Sequence, residues 1–235
     1  MINNTSCIAL ITARSGSKGI PNKNLKIING QSLLERAIKS ATDKRLSSVY
    51  VSSDNIEYQK IAESFGVKYH SRNKESANDF ASSSKVIESF NQMLDQKEGI
   101  HERIIVLLEP TSPFRRSTHV SRALDIYFSQ EEERRPLVSV TKLKRKPYNI
   151  LETKEEYSNI LNRIKGLKYY KYSRRQDINS LYRINSAIYI FKNTEDLNDL
   201  GDKNGLTFYE MNSLESNNID TQEDLIAARA SPIKT

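Results

Sequence analysis

The sequence predicts an α/β fold built around a mainly parallel β-sheet, and three observations support this. Short apolar or β-rich runs alternate with helical patterns through about the first 140 residues, which is typical of consecutive βαβ units. The run 7–11 is apolar throughout, as expected of a strand buried on both faces. A loop rich in glycine and basic residues follows that run directly, where open α/β sheets place their ligands.

Each predicted element has its own local pattern. The predicted strands are Cys7–Ala13, Val49–Val51, Lys68–Ser71, Ile104–Leu108, Leu137–Leu143 and Ala187–Phe191. Helices are predicted from near Ser32 to Ala41, and over Ile56–Phe65, Ser82–Leu94 and Thr118–Phe128. Ser32 is an expected N-cap and Gly66 an expected end of a helix. Because Ile104–Leu108 is the most convincing buried run, we expect it at the centre of the sheet.

The segment 144–182 departs from this alternation. It consists of charged and aromatic residues without a clear core periodicity, so we expect it to leave the main sheet. Long irregular segments inside compact enzymes are usually functional or interfacial. A chain of 235 residues suits one α/β domain with a modest insertion. We therefore predict a single domain over residues 1–235 that carries this insertion.

Composition and charge exclude several classes of protein. No apolar run approaches the ~20 residues that span a membrane, and the first residues do not resemble a secretory signal. We expect a cytoplasmic protein with no membrane partner. The single cysteine, Cys7, can form neither an internal disulfide nor a Cys-rich zinc site. The net charge of +7 suits small anions or nucleic acid. We favour small anions and no nucleic acid, with RNA binding by the basic, tyrosine-containing stretch 163–175 as the alternative.

The loop from Ala13 to Asn24 carries the strongest functional pattern. It reads Ala-Arg-Ser-Gly-Ser-Lys-Gly-Ile-Pro-Asn-Lys-Asn, with three cations and two glycines. Glycines let backbone N–H groups approach phosphate oxygens, and the cations neutralise phosphate charge. The spacing fits neither a Walker A loop nor a G-x-G-x-x-G loop. A basic surface turn is the alternative interpretation of this loop taken alone.

The same loop resembles the nucleotide loop of the CMP-sialic acid synthetases, the acylneuraminate cytidylyltransferase family. That loop begins Ala-Arg-x-x-Ser-Lys-Gly and continues to Lys-Asn. Further segments resemble family motifs in the same order, namely 72–83, 107–115, 175–189 and 216–225. The resemblance implies a Rossmann-like, three-layer nucleotidyltransferase fold in which 144–182 is an arm that forms a homodimer and contributes to the partner's site.

The resemblance also implies an activity and a set of site residues. The activity is transfer of CMP from CTP to the anomeric hydroxyl of a nine-carbon 2-keto (nonulosonic) sugar acid, with Mg²⁺ or Mn²⁺ and release of pyrophosphate. Arg14, Lys23 and Asp220 would be catalytic. The nucleotide would be bound by Arg14, Ser17, Lys18, Lys23, Asn24, Arg72 and Ser83. The sugar acid would be bound by Glu109, Thr111, Ser112, Arg175, Gln176 and Arg183, and the metal by Asp220 and Asn218.

Three positions depart from the family pattern. Glu109 replaces the usual Gln, which turns a neutral group into a carboxylate and leaves the identity of the sugar open. Asn218 replaces the first aspartate of the metal motif, so we expect weaker metal binding. Ser186 replaces a glycine and must adopt a backbone angle that glycine would ease.

Several alternatives follow from the sequence. Within the same chemistry, the acceptor could be legionaminic, pseudaminic or 3-deoxy-octulosonic acid. A non-catalytic nucleotide-binding protein is the alternative outside it, because all three departures lie in the implied site. The histidines at 70, 101 and 119 are scattered and form no catalytic triad or H-E-x-x-H motif, and no G-x-S-x-G elbow is present.

Overall fold

A computed structural model describes residues 5–16, 19–72, 83–99, 101–130, 134–143, 151–153, 161–163, 180–202 and 205–233. The chain forms two compact units, one of residues Met1–Thr141 with Ile184–Thr235 and one of Lys142–Arg183. The second unit contains a two-stranded antiparallel sheet.

The elements follow one another in the order that the sequence predicts, with five strands added. The strands are β1 (Ser6–Thr12), β2 (Ile27–Ile28), β3 (Gln31–Ser32), β4 (Ser48–Ser53), β5 (Lys68–Ser71), β6 (Arg103–Leu107), β7 (Leu137–Lys142), β8 (Leu151–Thr153), β9 (Leu161–Arg163), β10 (Tyr182–Lys192) and β11 (Thr207–Glu210). The helices are α1 (Leu33–Ser40), α2 (Ile56–Ser64), α3 (Ser83–Glu98), α4 (Ser117–Phe128) and α5 (Gln222–Ala230). None of the helices in the described part of the chain combines the length and the apolar character that crossing a membrane requires.

The main sheet has seven strands in the order β11-β7-β10-β6-β1-β4-β5. Strand β1 is parallel to both β4 and β6, β4 is parallel to β5, and β7 is parallel to β11. Strand β10 runs antiparallel to β6. The predicted parallel α/β sheet is therefore confirmed, and β6 is the fourth of the seven strands, at the centre as predicted.

Helices cover both faces of this sheet. Along β1, Cys7, Ala9 and Ile11 belong to one buried cluster, whereas Ile8 and Leu10 belong to another, as the period of two in a strand requires. The first cluster includes apolar residues of α1, α2 and α4, and the second includes those of α3. The fold thus has three layers, and burial on both faces explains why residues 7–11 of β1 and 104–107 of β6 are all apolar.

Local signals place the helix ends. Ser32 caps α1 in a capping box: its hydroxyl accepts from the Glu35 N–H at 3.2 Å and the Glu35 carboxylate accepts from the Ser32 N–H at 2.6 Å. Helix α2 is followed by Gly66, whose φ of +68° suits glycine. Both predictions are confirmed. The short strands β2, β3, β8, β9 and β11 were not predicted.

Candidate functional site

Four chain segments meet at the carboxyl edge of the parallel strands. They are the loop after β1, the residue after β5, the start of α3 and the turn after β6. Between them lies a cavity of about 170 Å³. Seven residues implicated by the sequence line it together, namely Arg14, Lys23, Asn24, Arg72, Ser83, Glu109 and Thr111. The lining is completed by Thr12, Val86 and Pro110. The structure therefore gathers residues that are 97 positions apart, from 14 to 111, into one small space.

The loop after β1 is fixed by hydrogen bonds to its backbone. The Ala13 N–H donates to the carbonyl of Ser52 at the end of β4 (2.9 Å). The buried Asn24 side chain donates to the Arg14 carbonyl (3.0 Å). Asn24 lies in a 3₁₀ turn over Lys23–Leu25. The predicted nucleotide residue Asn24 therefore shapes the loop that carries Arg14.

Lys23 joins this loop to the segment before α5. Its ammonium donates to the Ile219 carbonyl (2.9 Å) and to Asp220 Oδ1 (3.2 Å). The Asn218 amide donates to the other Asp220 oxygen (2.8 Å). Gly19 is also close, because a Cβ there would lie 2.7 Å from the Asp220 carbonyl oxygen. The two implicated catalytic residues Lys23 and Asp220 thus form an ion pair.

The segment after Asp220 begins a helix as well as carrying the implicated metal ligand. Thr221 caps α5, and the Asp224 carboxylate accepts from the N–H groups of Asp220 (3.0 Å) and Thr221 (2.8 Å). The Ile219 N–H donates to the Thr111 carbonyl (2.9 Å), which ties this segment to the turn after β6. Hydrogen bonds of the preceding residue, Ile219, and of the following residue, Thr221, therefore hold the backbone at Asp220 in place, while 64% of its side chain is exposed.

Arg72 follows β5 and is held by the end of β4. Its N–H donates to the Ser53 carbonyl (2.9 Å), and its Nε donates to the Ser52 hydroxyl (3.1 Å). Burial lowers the pKa of the Arg72 guanidinium to about 10; Asp54 opposes that shift and Arg14 adds to it. The guanidinium stays charged at neutral pH and suits an anionic or polar ligand.

The turn after β6 is rigid and contains the substituted Glu109. The buried Arg115 donates to the carbonyls of Glu109 (2.7 Å) and Ala187 (2.8 Å). Burial raises the pKa of the Glu109 carboxyl, which the charge of Arg115 opposes and that of Asp220 reinforces. Glu109 is the one carboxylate among the described residues that line the cavity.

The remaining implicated residues lie elsewhere or outside the described ranges. Ser112 is buried and does not line the cavity, and its hydroxyl has no hydrogen-bond partner within the described ranges. Arg183 is exposed on β10 and belongs to the second unit. Ser17, Lys18, Arg175 and Gln176 fall outside the described residues. Ser186 has a φ of +57°, which confirms the backbone angle expected of a glycine replacement.

Metal ligands are sparse at this edge. Across the ranges that the structure describes, no three His, Cys, Asp or Glu side chains are grouped so that they could hold a metal ion. Asp220 is exposed, and the Asn218 side-chain oxygen has no hydrogen-bond partner within those ranges. One carboxylate with one amide oxygen suits a hard cation such as Mg²⁺ when a polyphosphate supplies the other ligands.

Three polar residues at this edge were not identified from the sequence. Ser52, Asp54 and His70 bond to Arg72, to Ser15 and to Ser52 respectively. The run Ser-Ser-Asp at the carboxyl end of a predicted parallel strand was the available signal, because that end faces the ligand side of such sheets.

Comparisons with known proteins agree with this architecture. A family model described as Cytidylyltransferase matches residues 8–226. The chain is 37% identical over 187 residues to an N-acylneuraminate cytidylyltransferase of Escherichia coli O18:K1:H7, covering 79% of this chain and 42% of that protein. It is 30% identical over 223 residues to one of Streptococcus agalactiae serotype V, covering 93% and 51%. The chain thus spans about half the length of these relatives.

Solved structures share the fold at low sequence identity. A CMP:2-keto-3-deoxy-manno-octonic acid synthetase complexed with CTP has a TM-score of 0.64 at 15% identity, covering 96% of this chain and 98% of that one. A 4-diphosphocytidyl-2C-methyl-D-erythritol synthase has a TM-score of 0.66 at 11% identity, covering 96% and 97%. These likenesses confirm the predicted Rossmann-like fold.

Proposed function

Since the chain belongs to the cytidylyltransferase family, we propose that it transfers CMP from CTP to the anomeric hydroxyl of a nonulosonic acid and releases pyrophosphate. The observation that carries this proposal is the single cavity in which Arg14, Lys23, Arg72 and Glu109 meet. The names of relatives at 30% and 37% identity support a sialic-type acceptor.

The residues of the cavity suit different parts of the substrates. Arg14 and Lys23 would bind the triphosphate, because their charges complement it and strengthen their hydrogen bonds. Arg72 and Ser83 would bind cytosine and ribose. Glu109 and Thr111 would face the sugar acid, together with Arg175, Gln176 and Arg183.

The reaction then depends mainly on positioning and charge. The anomeric oxygen forms a bond to the α-phosphorus while the bond from that phosphorus to pyrophosphate breaks, and the hydroxyl proton passes to a phosphate oxygen of CTP or to water. Negative charge grows on the pyrophosphate oxygens, where the Lys23 ammonium and Arg14 guanidinium would stabilise it. Asp220 and the Asn218 amide oxygen would hold Mg²⁺ or Mn²⁺. The metal would neutralise triphosphate charge and make pyrophosphate a better leaving group.

Binding of CTP would change the contacts of Lys23. In the free protein its ammonium is shared by the Ile219 carbonyl and Asp220. If the Asp220 carboxylate bound a metal ion instead, Lys23 would lose part of its counter-charge. Its ammonium would then be available to bind the phosphates of CTP. The ion pair therefore keeps both groups ready at the cavity edge without a ligand.

The activity is tested by adding the purified protein to CTP, Mg²⁺ and a panel of acids. The panel contains N-acetylneuraminic, legionaminic, pseudaminic and 3-deoxy-octulosonic acids, and pyrophosphate release is measured. Turnover with a nonulosonic acid is expected. Preference for 3-deoxy-octulosonic acid, CTP binding without turnover, or turnover only with ATP and a sugar 1-phosphate would each contradict the proposal.

We also propose that the protein is a cytoplasmic homodimer in which 144–182 forms the dimer arm. The support is the separate unit Lys142–Arg183 and the family to which the chain belongs. Light scattering at micromolar concentration should give twice the mass of one chain. A monomer that retains activity would contradict a shared site.

A further inference from the structure

The carboxyl end of β4 lies between the two arginines of the nucleotide cavity. We propose that Ser52, Ser53 and Asp54 form a frame that positions Arg14 and Arg72, and that Asp54 is its principal positioning residue. This inference rests on the proposed function for what the cavity binds, but the frame itself is described by contacts in the free protein.

Asp54 fixes the loop after β1. Its Oδ1 accepts a hydrogen bond from the Ser15 N–H (2.9 Å), and its Oδ2 accepts one from the Ser15 hydroxyl (2.7 Å). On the other side of Arg14, the Ala13 N–H donates to the Ser52 carbonyl (2.9 Å). The backbone is therefore held by β4 immediately before and immediately after Arg14, which limits where its side chain can lie.

The same strand end fixes Arg72. The Arg72 N–H donates to the Ser53 carbonyl and its Nε donates to the Ser52 hydroxyl, at 2.9 Å and 3.1 Å. The Ser52 hydroxyl also lies 2.9 Å from His70 Nδ1. Because the guanidinium can only donate, the Ser52 hydroxyl accepts from Arg72. The same hydroxyl still has a hydrogen and a second lone pair, so it also hydrogen-bonds to His70 Nδ1.

The hydrogen-bonded group that holds Arg72 is buried. Ser52 and His70 are buried, and burial lowers the pKa of His70 to about 4, so the ring is neutral at physiological pH. A neutral ring adds no positive charge beside Arg72. The buried Ser52 hydroxyl orients the planar guanidinium before any ligand arrives, which reduces the ordering cost of binding.

The charge of Asp54 fits the same role. Partial burial alone would raise the pKa of Asp54, but the Ser15 hydrogen bonds and the charge of Arg72 outweigh it and leave that pKa lowered. The charge of Arg14 is one cause of the lowered pKa of Arg72. The Asp54 carboxylate offsets this repulsion between the two arginines. Asp54 is not among the described residues that line the cavity, so it would not oppose a triphosphate at close range.

The test compares Asp54→Ala and Asp54→Asn with the neighbouring control Asn55→Ala. Asn55 caps α2 by accepting from the Glu57 N–H (2.8 Å) and is not a member of the frame, so its loss should lower the Tm only. Calorimetric titration with CTP should give a Kd about tenfold higher for Asp54→Ala. Asp54→Asn should give a smaller rise, because its amide oxygen can still accept one hydrogen bond.

A second readout needs no ligand. Hydrogen exchange of the free protein should show faster exchange of the Ser15 amide in Asp54→Ala, and wild-type rates there in Asn55→Ala. Unchanged exchange and an unchanged Kd in Asp54→Ala would overturn the frame. If the wild-type protein fails to bind CTP, the proposed function fails, while the exchange data still decide whether Asp54 holds the loop.

Discussion

Replacing Lys23 by alanine should separate the structural contacts of this residue from its proposed role in binding the triphosphate. Its ammonium makes a hydrogen bond to the Ile219 carbonyl and an ion pair with Asp220, and its side chain is 15% exposed. Exposed ion pairs contribute about 0.2–1 kcal/mol, and a hydrogen bond to a charged group about 1.5–3 kcal/mol before the lost partner is rehydrated. We therefore expect the free energy of unfolding to fall by about 1–2 kcal/mol.

The expected loss of activity is larger than this loss of stability explains. A charge-assisted contact to phosphate worth about 1.5–3 kcal/mol corresponds to a decrease in kcat/KM of roughly 10- to 150-fold. A protein of this size loses about 2–4 °C of Tm per kcal/mol, so the variant remains folded at 25 °C. Pyrophosphate release and thermal denaturation measure the two effects on the same sample.

Lys26→Ala is the matched control, because it removes the same charge three positions away and does not line the cavity. It should keep the wild-type kcat/KM. Full activity of Lys23→Ala, or an equal loss in both variants, would refute the assignment of the loop to the triphosphate.

Three further predictions concern the metal, the sugar acid and pH. Asn218→Asp should lower the Mg²⁺ concentration needed for half the maximal rate, because it adds a charged oxygen beside Asp220; unchanged magnesium curves in Asn218→Asp and Asp220→Asn would place the metal elsewhere. Burial raises the pKa of Glu109, so the KM for the sugar acid should fall as lower pH neutralises this carboxylate. Glu109→Gln should have a low KM that does not depend on pH. If KM depended on pH in the same way in the wild type and in this variant, repulsion between Glu109 and the sugar acid would be contradicted. Burial lowers the pKa of His70 and His119 from 6.5 to about 4. Between these values the unfolded chain binds protons that the folded chain does not, so the free energy of unfolding should fall by up to about 1.4 kcal/mol per pH unit for each histidine as pH decreases. Urea denaturation at pH 7 and pH 5 measures this slope, which should be smaller in the His70→Gln/His119→Gln variant.

The parts of the fold that were predictable are those with a strong local cause. Residues 7–11 of β1 and 104–107 of β6 are buried on both faces, so these runs are apolar without interruption. Helix α1 begins at Ser32 because the Glu35 side chain completes its cap. Strand β11 has four residues and pairs with β7, which lies far earlier in the chain: Thr207 pairs with Leu137. The formation of β11 therefore depends on long-range contacts, which no local sequence pattern contains.

The candidate site was predictable to the extent that its residues lie in motifs. Arg14, Lys23 and Asn24 share one loop, and the structure places all three at the cavity. The role of Asp54 was not predictable from the sequence, because its partner Ser15 is 39 positions away and the parallel pairing of β1 with β4 brings the two residues together. Ser112 lies in the same turn as Thr111 but is buried and does not line the cavity, which its place in the motif does not reveal.

The contact between Lys23 and the segment at 219–220 has a consequence for biosynthesis. The lysine and its partners are separated by 196 and 197 positions. At a translation rate of about 5–20 residues per second, roughly 10–40 s pass between the appearance of the loop and that of its partners. During this interval β1, β4 and β6 can already pair on the ribosome, while the loop lacks the Ile219 carbonyl and the Asp220 carboxylate. The contacts that fix Lys23 at the cavity are therefore completed only after the segment at 219–220 has been synthesised.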